Sequence, residues 1–397
     1  MKTAAGVGVS HHRNPRLAAE QAYHQAVRRA GLAERPDFLL MFASVGYPQD
    51  VIVRRVWEVS GGVPLAGCSG EGVIAQGEAD EGNFSLAILA IRSDEVRFQA
   101  VSAGNMQAAP FANGQAIGGS LRGQWDQPPI GLLLLADGIN FNFDQFTRGL
   151  TDALGPDHPV LLYGVMAADN FALKKTYQYH DAKAISDGAV AVLMTGSLRA
   201  AHAANHGCAA IGMERRVTAC KDNQIFEIDQ QPVLDILKEY LRAEEVDNWG
   251  QAVVNLSWGF KAPASSEDPQ EDLVIRFMPA KDEAAGSITL STEVVEDTPI
   301  WMTRRDQDKI AGGVARIAGQ IQRQLQGATP KLILHFDCAG RGKVVFREQQ
   351  KLEILRSLQQ TLGAEVPWIG IYGYGEIGPV GNLNQFHNYT LSLLALY

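Results

Sequence analysis

The sequence is poor in cysteine and in long apolar runs. Only four cysteines occur in 397 residues, and none of them forms a CxxC pair: Cys68, Cys208, Cys220 and Cys338. This spacing indicates reduced thiols in a cytoplasmic protein and argues against a disulfide framework. No apolar run approaches the roughly 18 residues of a membrane span, and the first ten residues lack the apolar core of a signal peptide. We therefore expect a cytoplasmic protein with no membrane partner.

An excess of positive charge is also lacking. The formal net charge is −9, and no basic stripe interrupts the sequence. Nucleic acids and anionic membranes are therefore not expected as partners. A chain of 397 residues is longer than the roughly 250–300 residues at which one core stops growing, so two domains are expected.

Several enzyme signatures are absent. We find no HExxH and no GxSxG. The run from Arg341 to Lys343 looks like the end of a phosphate-binding loop. However, Asp337 stands where the first glycine of that motif belongs, and Val344 replaces its magnesium-binding hydroxyl. We expect a protein that is not an enzyme.

Glycine, in contrast, is concentrated near the C-terminus. The apolar stretch 367–379 is interrupted by glycines and carries Tyr372, Tyr374 and Glu376, and His387 follows shortly after it. Glycine allows the backbone to approach a ligand closely and to take up positive φ. The stretch therefore predicts one wall of a pocket, although a strand–turn–strand whose glycines serve only tight turns is the alternative.

A pattern of strand, helix, strand and strand occurs three times. The predicted strands are 36–43, 63–72 and 82–91, then 130–136, 159–169 and 188–194, then 330–338, 366–370 and 388–396. Each set encloses one helix: 50–60, 143–154, and a leucine-rich helix that ends at Gly363. The distances from Glu71 to Asn83 and from Glu376 to Asn388 are both 12 positions. We therefore predict an α/β fold of mixed β-sheets covered by helices, built from repeated units in two domains.

The chain divides into three predicted segments. Residues 1–35 are an N-terminal extension with a helix that Asn14 caps; residues 36–230 and 231–397 are the two domains. A surface loop is expected at 261–271 and a long amphipathic helix at 306–327. His202 and His206, four positions apart, would share one face if they lay on a helix.

Candidate ligand-binding residues stand where the repeated strands end. Cys338 and Arg341 follow a buried strand, and Arg341 suits a carboxylate. Glu71, Asp169 and Glu376 are placed at equivalent strand ends, where carboxylates bind an amine or cap a turn. Together they suit an amino-acid-like ligand. The alternatives are a surface ion pair for Arg341 and a role as a small buried hydrophobe for Cys338.

His387 has two interpretations. One is a structural histidine satisfied by its neighbours. The other is an axial ligand to haem iron, for which His335 and His206 are the rival donors. Aromatic residues near His387 would supply the apolar wall that haem requires: Tyr372, Tyr374, Phe386 and Tyr389.

These motifs resemble those of the FIST family, a two-part sensory domain with an N-terminal and a C-terminal section. The resemblance rests on 67–72, 207–212 with 217–218, 338–341, 372–378 and 386–390, and it spans the chain from about residue 37 to the end. It implies a ligand-sensing module for signal transduction, proposed for small molecules such as amino acids. Some stand-alone members bind haem, sense nitric oxide and regulate a partner histidine kinase.

The sequence thus predicts a stand-alone cytoplasmic sensor that passes its signal to a partner protein. The resemblance and the residue patterns together give this ligand-binding set: Glu71, Asp169, Cys338, Arg341, Tyr372, Tyr374, Glu376, His387 and Asn388. Haem with nitric oxide is favoured slightly over an amino-acid-like ligand. The alternatives from other classes are a hydrolase or transferase that uses Cys338 with His335 or His387, and a scaffold without a ligand.

Overall fold

The structure is a computed structural model that describes residues 2–125, 129–242, 245, 248–262 and 273–397. These residues form an α/β fold in which helices cover mixed β-sheets, which confirms the predicted fold class. None of the helices seen in these ranges is long and apolar enough to cross a membrane. The α-helices are α1 (Pro15–Arg29), α2 (Gln49–Val59), α3 (Pro110–Leu121), α4 (Phe143–Leu154), α5 (Val233–Lys238), α6 (Trp249–Asn255), α7 (Gln307–Leu325) and α8 (Glu348–Leu362).

Three of the sheets have six strands each. In spatial order, sheet 1 contains β1 (Ala4–Ser10), β6 (Leu86–Arg92), β2 (Phe38–Ser44), β3 (Leu65–Gly70), β10 (Gln178–His180) and β11 (Lys183–Ile185). Sheet 2 contains β26 (Leu383–His387), β25 (Gly375–Val380), β9 (Leu162–Met166), β8 (Gly131–Ala136), β12 (Gly188–Gly196) and β7 (Val96–Gly104). Sheet 3 contains β13 (Ala200–Asn205), β27 (Leu391–Leu396), β23 (Leu332–Cys338), β24 (Trp368–Gly373), β4 (Gly72–Ala75) and β5 (Glu78–Asp80).

Each of these sheets is built around one parallel pair joined by a helix. The pairs are β2–β3, β8–β9 and β23–β24, and α2, α4 and α8 supply the crossovers that parallel strands require. An antiparallel strand lies beside the first member of each pair: β6, β12 and β27. The three sheets therefore share one strand order at their centres, while the proposed sequence repeat stays a prediction.

A hairpin from elsewhere in the chain completes each sheet. The β4–β5 hairpin follows sheet 1 strands in sequence but pairs with β24 in sheet 3. The β10–β11 hairpin pairs with β3 in sheet 1, and the β25–β26 hairpin pairs with β9 in sheet 2. Residues from both sides of position 230 therefore share sheets 2 and 3, and a division into domains at that position stays a prediction.

The core follows from the two-residue alternation of the central strands. Leu40, Phe42, Leu135, Leu334 and Phe336 point to one side of their strands and pack into a common apolar cluster. The residues that point the other way pack under helix pairs: α1 and α2 on sheet 1, α3 and α4 on sheet 2, and α7 and α8 on sheet 3. His335 occupies one of these outward positions and is only 3% exposed.

The N-terminal segment is built into sheet 1. The Asn14 side chain accepts hydrogen bonds from the amides of Arg16 and Leu17, as expected for the start of α1. Strand β1, which was not predicted from the sequence, pairs along its whole length with β6. A Cβ added at Gly8 would lie 2.0 Å from the carbonyl oxygen of Ala22, so glycine allows β1 to lie directly on α1.

A fourth, antiparallel sheet comes from the residues between β13 and α7. Its strands are β14 (Cys208–Ala210), β15 (Arg215–Lys221), β16 (Gln224–Ile228), β17 (Gln231–Pro232), β18 (Leu256–Lys261), β19 (Leu273–Arg276), β20 (Ala280–Asp282), β21 (Ser287–Thr289) and β22 (Pro299–Arg305). The loop predicted at 261–271 lies mostly outside the described residues.

His202 and His206 do not share a helix face. His202 lies in β13, whose residues are alternately partly and fully buried, and His206 follows the end of that strand. The helical interpretation was wrong because β13 pairs with β27, and this long-range contact is not visible in the local sequence.

Candidate functional site

The predicted site residues fall into three groups. Cys338, Arg341, Tyr372 and Glu376 lie around the end of β23; Glu71, Asp169 and Tyr374 meet where β3 and β9 end; His387 faces a separate cavity. Asn388 lies beside the second group, because its Nδ2 donates to the Tyr374 carbonyl oxygen at 3.2 Å. Its side chain accepts hydrogen bonds from the Phe277 amide and Ser291 hydroxyl, and so fastens β26 to the fourth sheet.

Arg341 is buried and engaged within the protein. Its Nε donates to Asp337 Oδ1 at 2.8 Å, and its Nη1 donates to the carbonyl oxygen of His206 at 2.8 Å. Burial raises the pKa of Asp337, but the Arg341 charge and His335 outweigh it, so the pKa lies below its usual value. The adjoining cavity measures about 30 Å³, room for one or two water molecules. This cavity is too small for an amino acid. Binding of a ligand carboxylate by Arg341 stays a prediction.

His335 has a structural environment. Its Nδ1 accepts a hydrogen bond of 3.1 Å from Trp368 Nε1, so the proton lies on Nε2, which is 3.4 Å from Asp337 Oδ2. Both ring nitrogens are therefore occupied. Of the three candidate histidines, this one has no nitrogen left for an iron ion.

Cys338 and Glu376 form a buried pair in which both pKa values are raised. Glu376 has no solvent exposure, and its Oε2 accepts from the amide of Thr390 at 3.2 Å. Burial, followed by the charge of Asp337, raises the pKa of Glu376 well above its usual value. Burial, followed by Glu376, likewise raises the pKa of the Cys338 thiol. A thiol in this state is a poor nucleophile.

Glu71 and Asp169 shape the backbone of the loop after β9. The Asp169 carboxylate accepts hydrogen bonds from the amides of Leu173, Lys174 and Lys175, at 2.7–2.9 Å, and from the Tyr374 hydroxyl at 2.7 Å. Glu71 Oε1 accepts from the Phe171 amide at 2.7 Å.

The carboxylates expected at equivalent strand ends are not equivalent in the sheets. In sheet 2, Glu376 pairs with Val165, the residue that follows Gly164 in β9. In sheet 3, the corresponding residue after Gly370 in β24 is Ile371, and it pairs with Val73. Glu71 lies two residues before Val73 and so does not occupy the position of Glu376. The expectation was wrong because the two hairpins enter their sheets with different offsets, which equal spacing to the next strand concealed.

His387 lines a cavity of about 630 Å³ between β13, α7 and the β25–β26 hairpin. We call it the histidine cavity, because two further histidines, His202 and His206, form part of its wall. Its volume lies within the range of small-molecule sites, about 300–1,000 Å³. Leu273, Pro379 and Val380 contribute apolar surface.

The hydrogen bonds of these histidines identify their protonated nitrogens. His387 Nε2 lies 3.0 Å from the Gly378 carbonyl oxygen, so Nε2 carries the proton and Nδ1 keeps its lone pair. Metal-binding histidines are commonly held in this way by a carbonyl oxygen. His206 has the opposite arrangement, because its Nδ1 accepts from the Cys208 amide at 2.9 Å. Its protonated Nε2 has no hydrogen-bond partner among the described residues, so His206 presents a donor and not a lone pair.

The charge of the cavity comes from arginine and not from histidine. Burial lowers the pKa of His202 and His206 to about 3 and that of His387 to about 4, so all three are neutral near pH 7. Arg316 and Arg323 line the same cavity. The arrangement therefore suits a ligand that carries carboxylate groups.

These arginines were not predicted as site residues; they lie on α7 with Gln320 at helical spacing. Such a polar stripe usually faces solvent, so the sequence offered only a weak signal. The aromatic wall expected around His387 is not there. Phe386 packs into the core beneath α4, and Tyr372, Tyr374 and Tyr389 lie in the other groups or in the core. Successive residues of a strand point to opposite faces, which separates Phe386 from His387.

Comparison with known proteins gives two family matches. Residues 37–231 match the FIST N domain and residues 234–379 match the FIST C domain. An uncharacterized protein of Mycobacterium tuberculosis is 25% identical over 396 residues, covering 98% of both chains. An uncharacterized protein of Mycobacterium bovis is 28% identical over 227 residues, and the chain spans 55% of that relative.

A crystal structure of chorismatase aligns over 100% of this chain and 99% of its own, with 9% identity and a TM-score of 0.36. A likeness at that level indicates neither a shared fold nor a shared activity. The two family matches, in contrast, together extend over most of the chain. The protein therefore belongs to the FIST family, whose N and C domains form a sensory, ligand-binding module.

Proposed function

We propose that this protein senses a carboxylate-bearing small molecule that binds in the histidine cavity. The supporting observation is that three neutral imidazoles and two arginines face one cavity of about 630 Å³. The ligand shifts the protein between two conformations only if it binds one of them better. In this proposal the protein acts in the cytoplasm, binds no nucleic acid and catalyses no reaction.

Haem is the ligand that we propose first. His387 would offer the neutral Nδ1 lone pair, and Arg316 and Arg323 would suit the two propionates. Because the expected aromatic wall is absent, the apolar contacts would come from Leu273, Pro379 and Val380 instead. His335 is rejected as an iron ligand because both of its ring nitrogens already have hydrogen-bond partners. His206 is rejected because its Nδ1 accepts a hydrogen bond and its Nε2 carries the proton. Bound haem would supply an iron that takes up nitric oxide. The protein's own part is to orient the imidazole and neutralise the carboxylates.

An absorption titration tests this proposal. Purified protein is titrated with haemin, reduced, and exposed to nitric oxide. We expect a one-to-one Soret band that shifts with nitric oxide, that is lost in His387→Ala, and that persists in His206→Ala. His24→Ala, at an exposed position on α1, is the matched control. A broad spectrum without stoichiometry, or a normal band in His387→Ala, contradicts the assignment.

An amino-acid-like ligand without haem is the second candidate. The observation that favours it is the unpartnered His206 Nε2–H close to arginine, a donor set for a carboxylate. A thermal-shift screen of amino acids tests it, with Arg323→Ala expected to remove the response. Arg341→Ala is the comparison, because Arg341 lies outside the histidine cavity. A response lost in Arg341→Ala but kept in Arg323→Ala would move the site to the Cys338 group.

We further propose that the output passes to a partner histidine kinase. The support is the membership of a signalling family together with a binding cavity in the same chain. The test compares kinase autophosphorylation with no added protein, with haem-free protein, and with the haem and nitric oxide complexes. Equal rates in all four would refute the kinase as the partner, without bearing on ligand binding.

A further inference from the structure

A second group of polar residues contains a buried acceptor without a donor. Glu71 is completely buried, and its Oε1 takes the Phe171 amide while Oε2 has no hydrogen-bond partner among the described residues. The nearest cation is Lys343, whose Nζ lies 3.8 Å from Oε2, beyond hydrogen-bond reach. A buried carboxylate oxygen left in this state is costly.

The formal charges around Glu71 leave room for another cation. Three acidic side chains, Glu71, Glu81 and Asp169, stand near two basic ones, Lys343 and Lys351, and burial raises the pKa of Glu71 although the Lys343 charge opposes this. Lys351 is committed to Glu81, at 2.8 Å. The Lys343 ammonium is held weakly, because its Nζ makes one long hydrogen bond, of 3.4 Å, to the Glu81 carbonyl oxygen and its side chain is 44% exposed. Another cation could therefore displace it.

The surroundings favour an ammonium group over a metal ion. Among the described residues, no set of three or more His, Cys, Asp or Glu side chains is arranged to hold a metal. Aromatic faces lie beside the carboxylate instead: the rings of Phe171 and Tyr374 are 6.0 Å apart, and Lys343 Nζ is 5.7 Å from the Phe171 centroid. A carboxylate next to aromatic faces is suited to an organic cation.

We propose that Glu71, Phe171 and Tyr374 form a binding site for the ammonium group of a small primary amine, which Lys343 occupies until the amine displaces it. The amine donates one N–H to the free Glu71 Oε2 and lies over the Phe171 ring. This site is separate from the histidine cavity, so it does not depend on the proposed function. The loop that carries Phe171 has positive φ at Asn170, Phe171 and Leu173, a conformation that costs free energy and is common at binding sites.

Chemical rescue with a small amine tests the site. Lys343→Ala vacates the space, whereas Lys343→Met removes the same charge but leaves the space filled. The melting temperature of each variant, and of the wild type, is measured against increasing ethylammonium chloride. Sodium chloride and tetramethylammonium chloride at the same ionic strength control for salt and for a cation without N–H donors. The double variant Lys343→Ala/Glu71→Gln keeps an acceptor for the Phe171 amide but has no negative charge.

We expect a saturable rise in melting temperature with ethylammonium for Lys343→Ala, because a ligand that binds only the folded state stabilises it. Compared with Lys343→Ala, the rise in melting temperature should be at least halved in Lys343→Met, where the space is filled, and in the double variant, where the negative charge is missing. It should also be at least halved in the wild type, where the Lys343 ammonium competes with ethylammonium. Equal rises for all three salts, or for Lys343→Ala and the double variant, overturn the proposal. If the double variant does not fold, equal responses of Lys343→Ala and Lys343→Met are by themselves enough to overturn the proposal.

Discussion

Gly114 and Gly119 lie five positions apart on α3, yet replacement by alanine should change stability in opposite directions. A Cβ at Gly119 meets no atom within 4 Å. There alanine brings only its better helix propensity, worth about 0.5–1 kcal/mol. A Cβ at Gly114 would lie 2.1 Å from the carbonyl oxygen of Phe146 on α4 and 2.9 Å from the amide nitrogen of Leu150.

The size of the effect at Gly114 follows from that overlap. The obstructing atom belongs to the backbone of α4, so the two helices must separate by about 1 Å to restore a normal contact. Overpacking typically costs about 1–3 kcal/mol, and a backbone obstruction favours the upper end. After subtraction of the helix-propensity gain, we expect Gly114→Ala to lower the free energy of unfolding by about 2 kcal/mol. Gly119→Ala should raise it by up to about 1 kcal/mol.

Urea unfolding followed by circular dichroism measures both variants against the wild type. The midpoint should fall for Gly114→Ala and rise for Gly119→Ala, with similar slopes. A higher midpoint for Gly114→Ala would show that α3 and α4 do not approach each other through this glycine. Alanine at Gly149, where a Cβ would lie 2.0 Å from the Phe111 carbonyl oxygen, would then not be expected to destabilise the protein either.

Three further predictions concern the buried polar groups. In the native protein, Ellman's reagent should titrate about one thiol, the partly exposed Cys220, and all four after denaturation; a second fast thiol would revive the cysteine-dependent enzyme as an alternative. His11 contacts Asp80 and a second carboxylate, which raise its pKa to about 10. Because the folded-state pKa is raised, the stabilisation by protonated His11 is complete below about pH 6.5 and is lost as the pH rises to 10. The free energy of unfolding of the wild type should therefore exceed that of His11→Gln by about 1 kcal/mol at low pH, a small value for an exposed group, and this difference should disappear between pH 6.5 and 10. A difference that does not change with pH would contradict the prediction. Arg341→Met leaves Asp337 buried without its cation and should cost about 3–5 kcal/mol in urea unfolding, and a loss below 1 kcal/mol would show that the pair is not buried as described.

The sequence was most informative where local chemistry determines structure. Asn14 followed by proline starts α1, and the periodicity of 143–154 matches α4 at both ends. Apolar runs identified the central strands of sheets 1 to 3, although their ends differ by a few residues. The missing elements depend on distant partners. Nothing within residues 4–10 shows that they will pair with residues 86–92, and in the fourth sheet β15 likewise pairs with the distant β22.

The candidate site was predictable in its residue types but not in its grouping. Cys338, Arg341 and Glu376 do meet, and so do Glu71, Asp169 and Tyr374. Their roles depend on which nitrogen or oxygen is already occupied, and only the structure supplies that information. The two nitrogens of His335 and the free lone pair of His387 are the clearest case, because the two residues are chemically identical in the sequence.

The exchange of hairpins between sheets also determines when this chain is able to fold on the ribosome. Strand β9 has no neighbour on its outer side until residues 375–380 have been synthesised, and the β4–β5 hairpin waits for β24 at residues 368–373. Open strand edges promote association with other chains. Domains commonly fold as they emerge, but here two of the sheets close only after residues 368–380 have been synthesised. The nascent chain therefore carries these open strand edges until the later strands have emerged.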